Sequence, residues 1–377
     1  MNVVVTGIGL MSCLGSLQTT WTSILRGKSG IKLYHLFPEL SAYPLGLINP
    51  QASKIDKITQ QLLLATLQDG GLQTPLDKCG VVIGSSRGCQ ASWEELATQR
   101  YNSNHSSNSI SNWLSTLPDQ PAITTARYLR TKAPVLAPMA ACATGIWSLA
   151  RGYELIKTGQ CQRAIVGAVE APITPLTLAA FERMGALATT GCYPFDFARE
   201  GLVLGEGGAM FILETDELAA RRQAKVYGRI LGFGLTCDAH HISAPQTVKG
   251  SAARAIKQAL ERSNLEPQAI DYLHTHGTST ALNDRHEAQL IQHVFPQTVA
   301  TSSTKGAIGH TLGASGAIGT ALTLMALHHG YLPPCVGLNN LEFDLDVVTQ
   351  ARKAEINYAM CFCFGFGGQN AVITLSK

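Results

Sequence analysis

Two pairs of matching segments, one member of each pair in either half of the chain, constrain the fold of this sequence more than any other feature. Gly205-Glu-Gly-Gly-Ala-Met-Phe-Ile-Leu and Gly365-Phe-Gly-Gly-Gln-Asn-Ala-Val-Ile-Thr-Leu are both glycine-rich turns that run into apolar strands. Met139-Ala-Ala-Cys-Ala-Thr-Gly and Ala307-Ile-Gly-His-Thr-Leu-Gly both place a reactive side chain just ahead of a small-residue helix. A fold of two similar halves sets Cys142 and His310 at corresponding helix N-termini. The change of half falls near residue 225, giving units 1–225 and 226–377.

The rest of the pattern agrees with an α/β fold. Val3 to Val5, Val81 to Ile83, Ala164 to Val166 and Met210 to Leu213 are short apolar, β-branched runs bounded by glycines, the pattern of buried strands. Gly145 to Lys157 reads as a helix between them. The second half repeats the scheme, with strands at Tyr227 to Leu231, Tyr272 to Thr275 and Ala371 to Leu375 and helices at Ala252 to Arg262 and Asp284 to Val294. Such alternation favours largely buried sheets covered by helices. With 377 residues, 45% hydrophobic and only 15% charged, the chain can bury a large core. Tyr101 to Asn112, dense in Ser and Asn without apolar periodicity, reads as a surface loop.

Several function classes are disfavoured. The N-terminal Met-Asn-Val-Val-Val-Thr-Gly has neither the basic nor the apolar region of a secretory signal, and no apolar run reaches a membrane span; Ala314 to Leu327 reads as a buried helix. A cytoplasmic location is expected. The ten cysteines then read as reduced thiols, and Cys361-x-Cys363 lies on a strand-like run with the wrong spacing for zinc. A net charge of +3 is too small to suggest nucleic acid, though it suits an acidic partner met by a local basic patch.

The chemistry gathers on a few residues. Cys142 has small neighbours and a following helix, whose N-terminal end favours a thiolate and so predicts a lowered pKa. Alone, a cysteine among alanines is an ordinary core residue. His276, in His274-Thr-His-Gly-Thr-Ser-Thr, follows a strand and opens a glycine-rich turn, a position that aims a side chain into a cleft. His274, two residues back on the same face, reads as structural. His310 in Lys305-Gly-Ala-Ile-Gly-His precedes a helix of small residues. A Cys, two His and a Lys in such surroundings point to a thioester-handling site.

The chain resembles the β-ketoacyl-acyl carrier protein synthases of the elongating, two-His type, within the thiolase-like superfamily. The similarity rests on Ala141-Cys-Ala-Thr-Gly, Pro194-Phe-Asp-Phe-Ala-Arg-Glu-Gly with Gly205-Glu-Gly-Gly, Asp238-Ala-His-His, His276-Gly-Thr-Ser-Thr with Asp284 and Glu287, Ser303-Thr-Lys-Gly-Ala-Ile-Gly-His, and Phe364-Gly-Phe-Gly-Gly. It implies a layered αβαβα architecture with two sheets. It also implies a decarboxylative Claisen condensation: Cys142 accepts an acyl group from a carrier protein, and His276 and His310 stabilise the enolate formed from malonyl-carrier protein. By the same resemblance the amides of Cys142 and Phe364 form the oxyanion hole, Phe364 acts as the acyl gate, and Lys305 holds the charge pattern through a bridge to Asp284 and Glu287. No metal and no organic cofactor is implied. The implied partners are acyl carrier protein and a second subunit, in a homodimer or a heterodimer.

Some features depart from the family pattern. Gln369 stands where Thr is usual, the chain is shortened around residues 30 to 60 and 188 to 194, and residues 101 to 112 match poorly. Arg127, Arg130 and Lys132 are candidates for carrier docking, although a solvated basic face explains them better. A thiolase would carry a second catalytic Cys in the turn occupied here by Phe364-Gly-Phe-Gly-Gly, and an initiating synthase would pair its Cys with one His and an Asn. A chain-length-factor-like subunit would lack the nucleophile. A malonyl-carrier-protein decarboxylase would use the same His pair and stays open.

Overall fold

A computed structural model describes residues 2–102 and 113–377. Its main sheet is built from ten principal strands. These are β1 (Val3–Ser12), β2 (Cys79–Gly84), β3 (Val135–Leu136), β4 (Arg163–Glu170) and β5 (Gly207–Thr215), then β6 (Gly228–Cys237), β7 (Tyr272–His274), β8 (Ala300–Ser302), β9 (Tyr358–Gly365) and β10 (Gln369–Ser376). The first five lie in the order β3-β2-β4-β5-β1, and the next five in the order β8-β7-β9-β10-β6. The two orders are the same once each set is counted from its own first strand. The directions match too: β2 runs parallel to β3 and β4 as β7 does to β8 and β9, and the remaining pairs are antiparallel. The sets meet where Val3 to Val5 pair antiparallel with Gly228 to Ile230, so hydrogen bonds run unbroken across both.

Helices separate and cover these sets. Those that position the site are α1 (Ile55–Asp69), α2 (Thr144–Lys157), α3 (Ser251–Ser263), α4 (Ala281–Val294), the single turn α5 (Lys305–Ile308), and α6 (Ser315–His329). α1 packs on β1 and β5 at one outer face, and α3 packs on β6 and β10 at the other. α2 and α6 lie between, in contact with each other and with strands of both sets. That arrangement is the layered αβαβα, thiolase-like order.

The sequence of α6 explains its place. From Ser315 to Leu327 every residue is buried, and apolar or small side chains occur all round the helix, which only a central layer tolerates. The two central helices approach closely because the second residue of each is glycine. A Cβ on Gly145 would lie 2.3 Å from the Ala317 nitrogen, and one on Gly316 would lie 3.0 Å from the Ile146 nitrogen. The crossing therefore fixes the starts of both helices, where Cys142 and His310 stand.

The expected strands and helices all occur, most of them longer than the apolar runs suggest. Ladder hydrogen bonds carry β6 on to Cys237, through Gly232 and Gly234, which interrupt its apolar run. Tyr101 lies at the end of the helix Gln90–Asn102, not in a loop, and residues 103–112 lie outside the described part.

Candidate active site

Cys142 sits in a strained turn between β3 and α2. Ala141 has φ 46°, a left-handed conformation unfavourable for a residue with a Cβ, and the structure around it holds it there. Thr144 pins the turn: its hydroxyl accepts from the Ala140 amide at 2.8 Å and donates to the Ala141 carbonyl at 2.7 Å. On the other side the Cys363 thiol donates to the Cys142 carbonyl at 2.9 Å. Burial pushes the Cys142 thiol up to about 11, against the pull of the Lys305 charge and of the Phe366 amide that donates to its sulfur. The lowered pKa expected from the helix start is thus reversed, because desolvation outweighs every favourable charge nearby.

His276 stands just beyond β7, in a turn held by carboxylates. Both oxygens of Glu287 are used, accepting from the His276 amide at 2.6 Å and the Gly277 amide at 2.7 Å. Burial pushes Glu287 up to about 7, while these N–H bonds, which favour the ionised form, pull it back. Asp284 accepts from the amides of Thr278 at 2.9 Å, Ser279 at 3.2 Å and Phe195 at 2.8 Å, tying the turn to the Pro194–Gly201 segment. Lys305 makes no ion pair with either carboxylate, a correction to the expected bridge. Their oxygens are taken by backbone amides, and the Lys305 ammonium instead donates to the His276 carbonyl and lies 3.4 Å from His276 Nδ1.

His310 follows α5, whose start carries Lys305. Its Nδ1 accepts from the Leu312 amide at 3.0 Å and lies 2.9 Å from the Ser315 hydroxyl. An Nδ1 that accepts an N–H bond has no proton, so the neutral ring carries its proton on Nε2. The same holds for His276, whose Nδ1 faces an ammonium. Burial first, then Lys305, holds both imidazoles well below the ordinary histidine range, so both are neutral near pH 7.

The rings stand edge to face, 5.3 Å apart between centroids. Ligand-type atoms of Cys142, His276 and His310 lie within 4.8 Å of one another, a spacing that could suggest a metal. The tautomers argue otherwise: metal binding at Nε2 would move the proton to Nδ1, opposite the Leu312 N–H and the Lys305 ammonium. The site is instead a thiol facing two N–H donors.

These groups line a cavity of about 290 Å³, walled by Phe181, Met184, Leu202, Leu282, Phe364 and Phe366 among others. The amide on the Cys142 sulfur belongs to Phe366, not Phe364. Phe364 still lies on β9, paired with Asn370, and its ring packs on His276 and Phe362 at 6.0 and 5.9 Å. The strand ends at Gly365, so Phe366 is the first residue able to turn its N–H to the sulfur. The backbone donor at the Cys142 sulfur is thus Phe366 where Phe364 was expected, and Phe366 is 37% exposed at the cavity.

Two supporting groups were missed in the sequence. Glu170 closes the apolar strand β4 and is fully buried, accepting from the Ser85 hydroxyl at 3.0 Å, the Ser86 hydroxyl at 2.6 Å and the Ser86 amide. The Ser86 hydroxyl in turn accepts from Gly313 at 3.2 Å, joining this loop to the His310 turn. A lone carboxylate ending a buried strand was the available signal. Ser315 had none, since its role depends on the His310 ring. His274 is structural as expected, with Nε2 3.1 Å from the Thr304 hydroxyl. Gln369 lies outside the cavity lining, with its side-chain amide 3.7 Å from the Cys237 sulfur, and Arg127, Arg130 and Lys132 do not line the cavity either.

The beta-ketoacyl synthase N-terminal domain model matches residues 1–219, and the C-terminal domain model matches residues 227–339. The 3-oxoacyl-(acyl-carrier-protein) synthase 2 of Staphylococcus aureus is 32% identical over 407 residues, covering 100% of this chain and 98% of the relative. The enzyme of the same name from Synechocystis sp. is 34% identical over 414 residues, with the same coverage. Among solved structures, a ketosynthase from a type II polyketide acyl-carrier protein complex superposes with TM-score 0.94 at 26% identity, covering 100% of this chain and 99% of that one. The ishigamide ketosynthase/chain length factor gives TM-score 0.92 at 26% identity, with the same coverage. With both domain models matched in order and relatives aligned from end to end, the chain belongs to the β-ketoacyl synthase family.

Proposed function

We propose that this protein condenses an acyl thioester, held on Cys142, with malonyl-acyl carrier protein to give a β-ketoacyl-acyl carrier protein, in fatty-acid or polyketide-type synthesis. The observation that carries this reading is the convergence of one thiol and two neutral imidazoles in a single cavity, their ligand-type atoms within 4.8 Å of one another. In the first step the Cys142 sulfur attacks the incoming thioester carbonyl. The phosphopantetheine thiol leaves and takes the proton that Cys142 gives up. The amides of Cys142 and Phe366 hold the oxyanion, a contribution of about 3–4 kcal/mol for one such donor.

In the second step the malonyl thioester loses carbon dioxide. The electron pair of the broken C–C bond passes into the thioester carbonyl, whose oxygen accepts from His276 Nε2–H and His310 Nε2–H. Neutral donors suit this task, since the Lys305 ammonium keeps the site positive without giving the enolate a proton. The carbanion then attacks the acyl carbonyl on Cys142, forming the new C–C bond and releasing the Cys142 thiolate. Asp284 and Glu287 act by fixing the His276 turn. Malonyl-carrier-protein decarboxylation without condensation uses the same His pair and is the second reading. The retained nucleophile speaks against a chain-length-factor-like role.

The division into halves 1–225 and 226–377 is supported by the repeated strand order. Association through the β3 edge is supported by Leu136 and Met139, which are 39% and 71% exposed beside a strand that pairs only with β2 among the described residues. A homodimer uses this edge twice. The ketosynthase/chain length factor relative makes a heterodimer the alternative. None of the helices among the described residues is long and apolar enough to cross a membrane, and cytoplasmic location remains part of this proposal.

Intact-protein mass spectrometry tests the reading. The protein is incubated with acyl-carrier proteins of several chain lengths, then with malonyl-carrier protein. An adduct on Cys142 that is discharged as a β-ketoacyl product supports it. No adduct with any chain length, together with carbon dioxide release from malonyl-carrier protein, would favour the decarboxylase.

A further inference from the structure

The Phe366 amide reaches the Cys142 sulfur only while the Phe366–Gly368 turn keeps its place: the Gly367 amide donates to the Ile242 carbonyl at 2.8 Å and the Gly368 carbonyl accepts from the Asp238 amide at 2.9 Å, which leaves the Phe366 ring to be held by its own packing. Gly367 and Gly368 have φ 74° and 72°, and nothing lies within 4 Å of a Cβ built on Gly367. The Phe366 ring is partly exposed, and its recorded ring partner is Phe181, stacked at 6.2 Å with 26° between the planes. Phe181 is only 3% exposed. The Arg87 guanidinium also lies against the Phe181 ring, 5.6 Å from its centroid.

Both supports of this stack are rigid. Arg87 projects from the loop that Glu170 holds through Ser85 and Ser86, and the Gly88 amide donates to the Ser85 hydroxyl at 2.8 Å. The helix Pro175–Arg183 that carries Phe181 is capped by Thr174, and Gln90 donates to the hydroxyls of Thr174 and Thr177 at 3.1 and 3.0 Å. Arg87 has no ion pair within 4 Å among the described residues, and its charge reaches Glu170 and the Cys142 sulfur only at longer range. A guanidinium on an aromatic face is attracted by the ring quadrupole. It thereby holds Phe181 in the orientation against which Phe366 stacks.

We propose that Arg87 and Phe181 form a latch that sets the resting position of the Phe366 turn, making both positioning residues for acyl transfer to Cys142. The proposal rests on the reading of Cys142 as the acyl acceptor. Arg87 touches no reacting atom in this scheme; it raises the fraction of molecules in which the Phe366 N–H is at the sulfur. Loss of a partly exposed cation–π contact lowers that fraction by roughly two- to five-fold.

A double-mutant cycle tests the latch. Wild type, Arg87→Gln, Phe181→Leu and the double variant are compared in the single-turnover rate of Cys142 acylation by hexanoyl-carrier protein. The same set is compared in Cys142 alkylation by iodoacetamide, which needs no substrate. Each single variant is expected to be about two- to five-fold slower in both assays, the double variant no slower than the worse single one, and Arg87→Lys to recover most of the rate. A merely structural loss would not be rescued by another cation. Wild-type rates in Arg87→Gln, or a double variant whose loss is the product of the two single losses, would overturn the latch. If the wild type takes no acyl group, the reading of function fails, while the alkylation cycle still decides the latch.

Discussion

Replacing Gly145 by Ala tests whether the helix crossing positions the site. The new Cβ would stand 2.3 Å from the Ala317 nitrogen and 3.0 Å from the Ala317 Cβ, where ordinary contact begins at 3.4 Å. Relief therefore needs α2 and α6 to part by about 1 Å, since the obstacle at 2.3 Å is backbone. Overpacking of this kind costs about 1–3 kcal/mol. Ala offers up to ~1 kcal/mol of helix propensity in return, less at this first-turn position, so the steric term wins. The consequence for chemistry is larger. Cys142 precedes α2 and His310 precedes α6, and a shift of ~1 Å between reacting groups can cost ~10²-fold in rate. Urea unfolding should give a lower midpoint with an unchanged m-value, and condensation should fall by one to two orders of magnitude, on the order of the ~10²-fold above. Gly316→Ala, facing the Ile146 nitrogen at 3.0 Å across the same crossing, should shift both readouts in the same direction by less. An unchanged midpoint with condensation within about two-fold of wild type would refute the argument that this crossing sets the site.

Other outcomes follow from the same geometry. Cys142→Ala should give no acyl adduct by mass spectrometry yet retain carbon dioxide release from malonyl-carrier protein, whereas His310→Ala should do the reverse; a Cys142→Ala protein that still condensed would sink the mechanism. Lys305→Met removes the charge that helps to depress His276 and His310, so the acid limb of the decarboxylation pH profile should move to higher pH, and an unmoved limb would show that burial alone sets it. The buried histidines also make stability pH-dependent. His274 is pushed down to about 3 by burial and the Lys305 charge, and His276 and His310 are lowered as well. Each of these histidines then binds more protons in the unfolded chain below the ordinary value near 6.5, so its contribution to stability is level above about pH 7 and falls by about 1.4 kcal/mol per pH unit below about 6.5, one such slope being offset down to about pH 4.5 by Glu287, whose raised value of about 7 makes the folded chain the better proton binder there. For His274 that window runs down to its folded value of about 3. Urea midpoints at pH 7, 6 and 5 check this, and a midpoint that rose on acidification would contradict the neutral buried state.

Much of this protein was legible in one dimension. Buried strands are written as apolar runs between glycines because a sheet covered on both faces leaves polar side chains no solvent. The repeated turn–strand and reactive-residue–helix segments survive in sequence because the same local geometry is needed twice. Cys142, His276, His310 and Lys305 could be singled out because a backbone approaching a substrate closely demands small neighbours, and these leave their mark in the letters.

What the tertiary structure alone decided is which group meets which. The nearest cation to two carboxylates reads as their ion pair, yet Lys305 turns to a carbonyl because backbone amides had already filled Asp284 and Glu287. Phe364 and Phe366 look alike in a glycine-rich turn, and only the last paired residue of β9 determines whose amide is free for Cys142. The helix start promised an acidic thiol, but its pKa is the balance of desolvation against several charges brought from distant parts of the chain. Local sequence encodes conformation and pattern, which depend on neighbours along the chain. Hydrogen-bond partners, tautomers and ionisation depend on neighbours in space, and those exist only once the two halves have closed on each other.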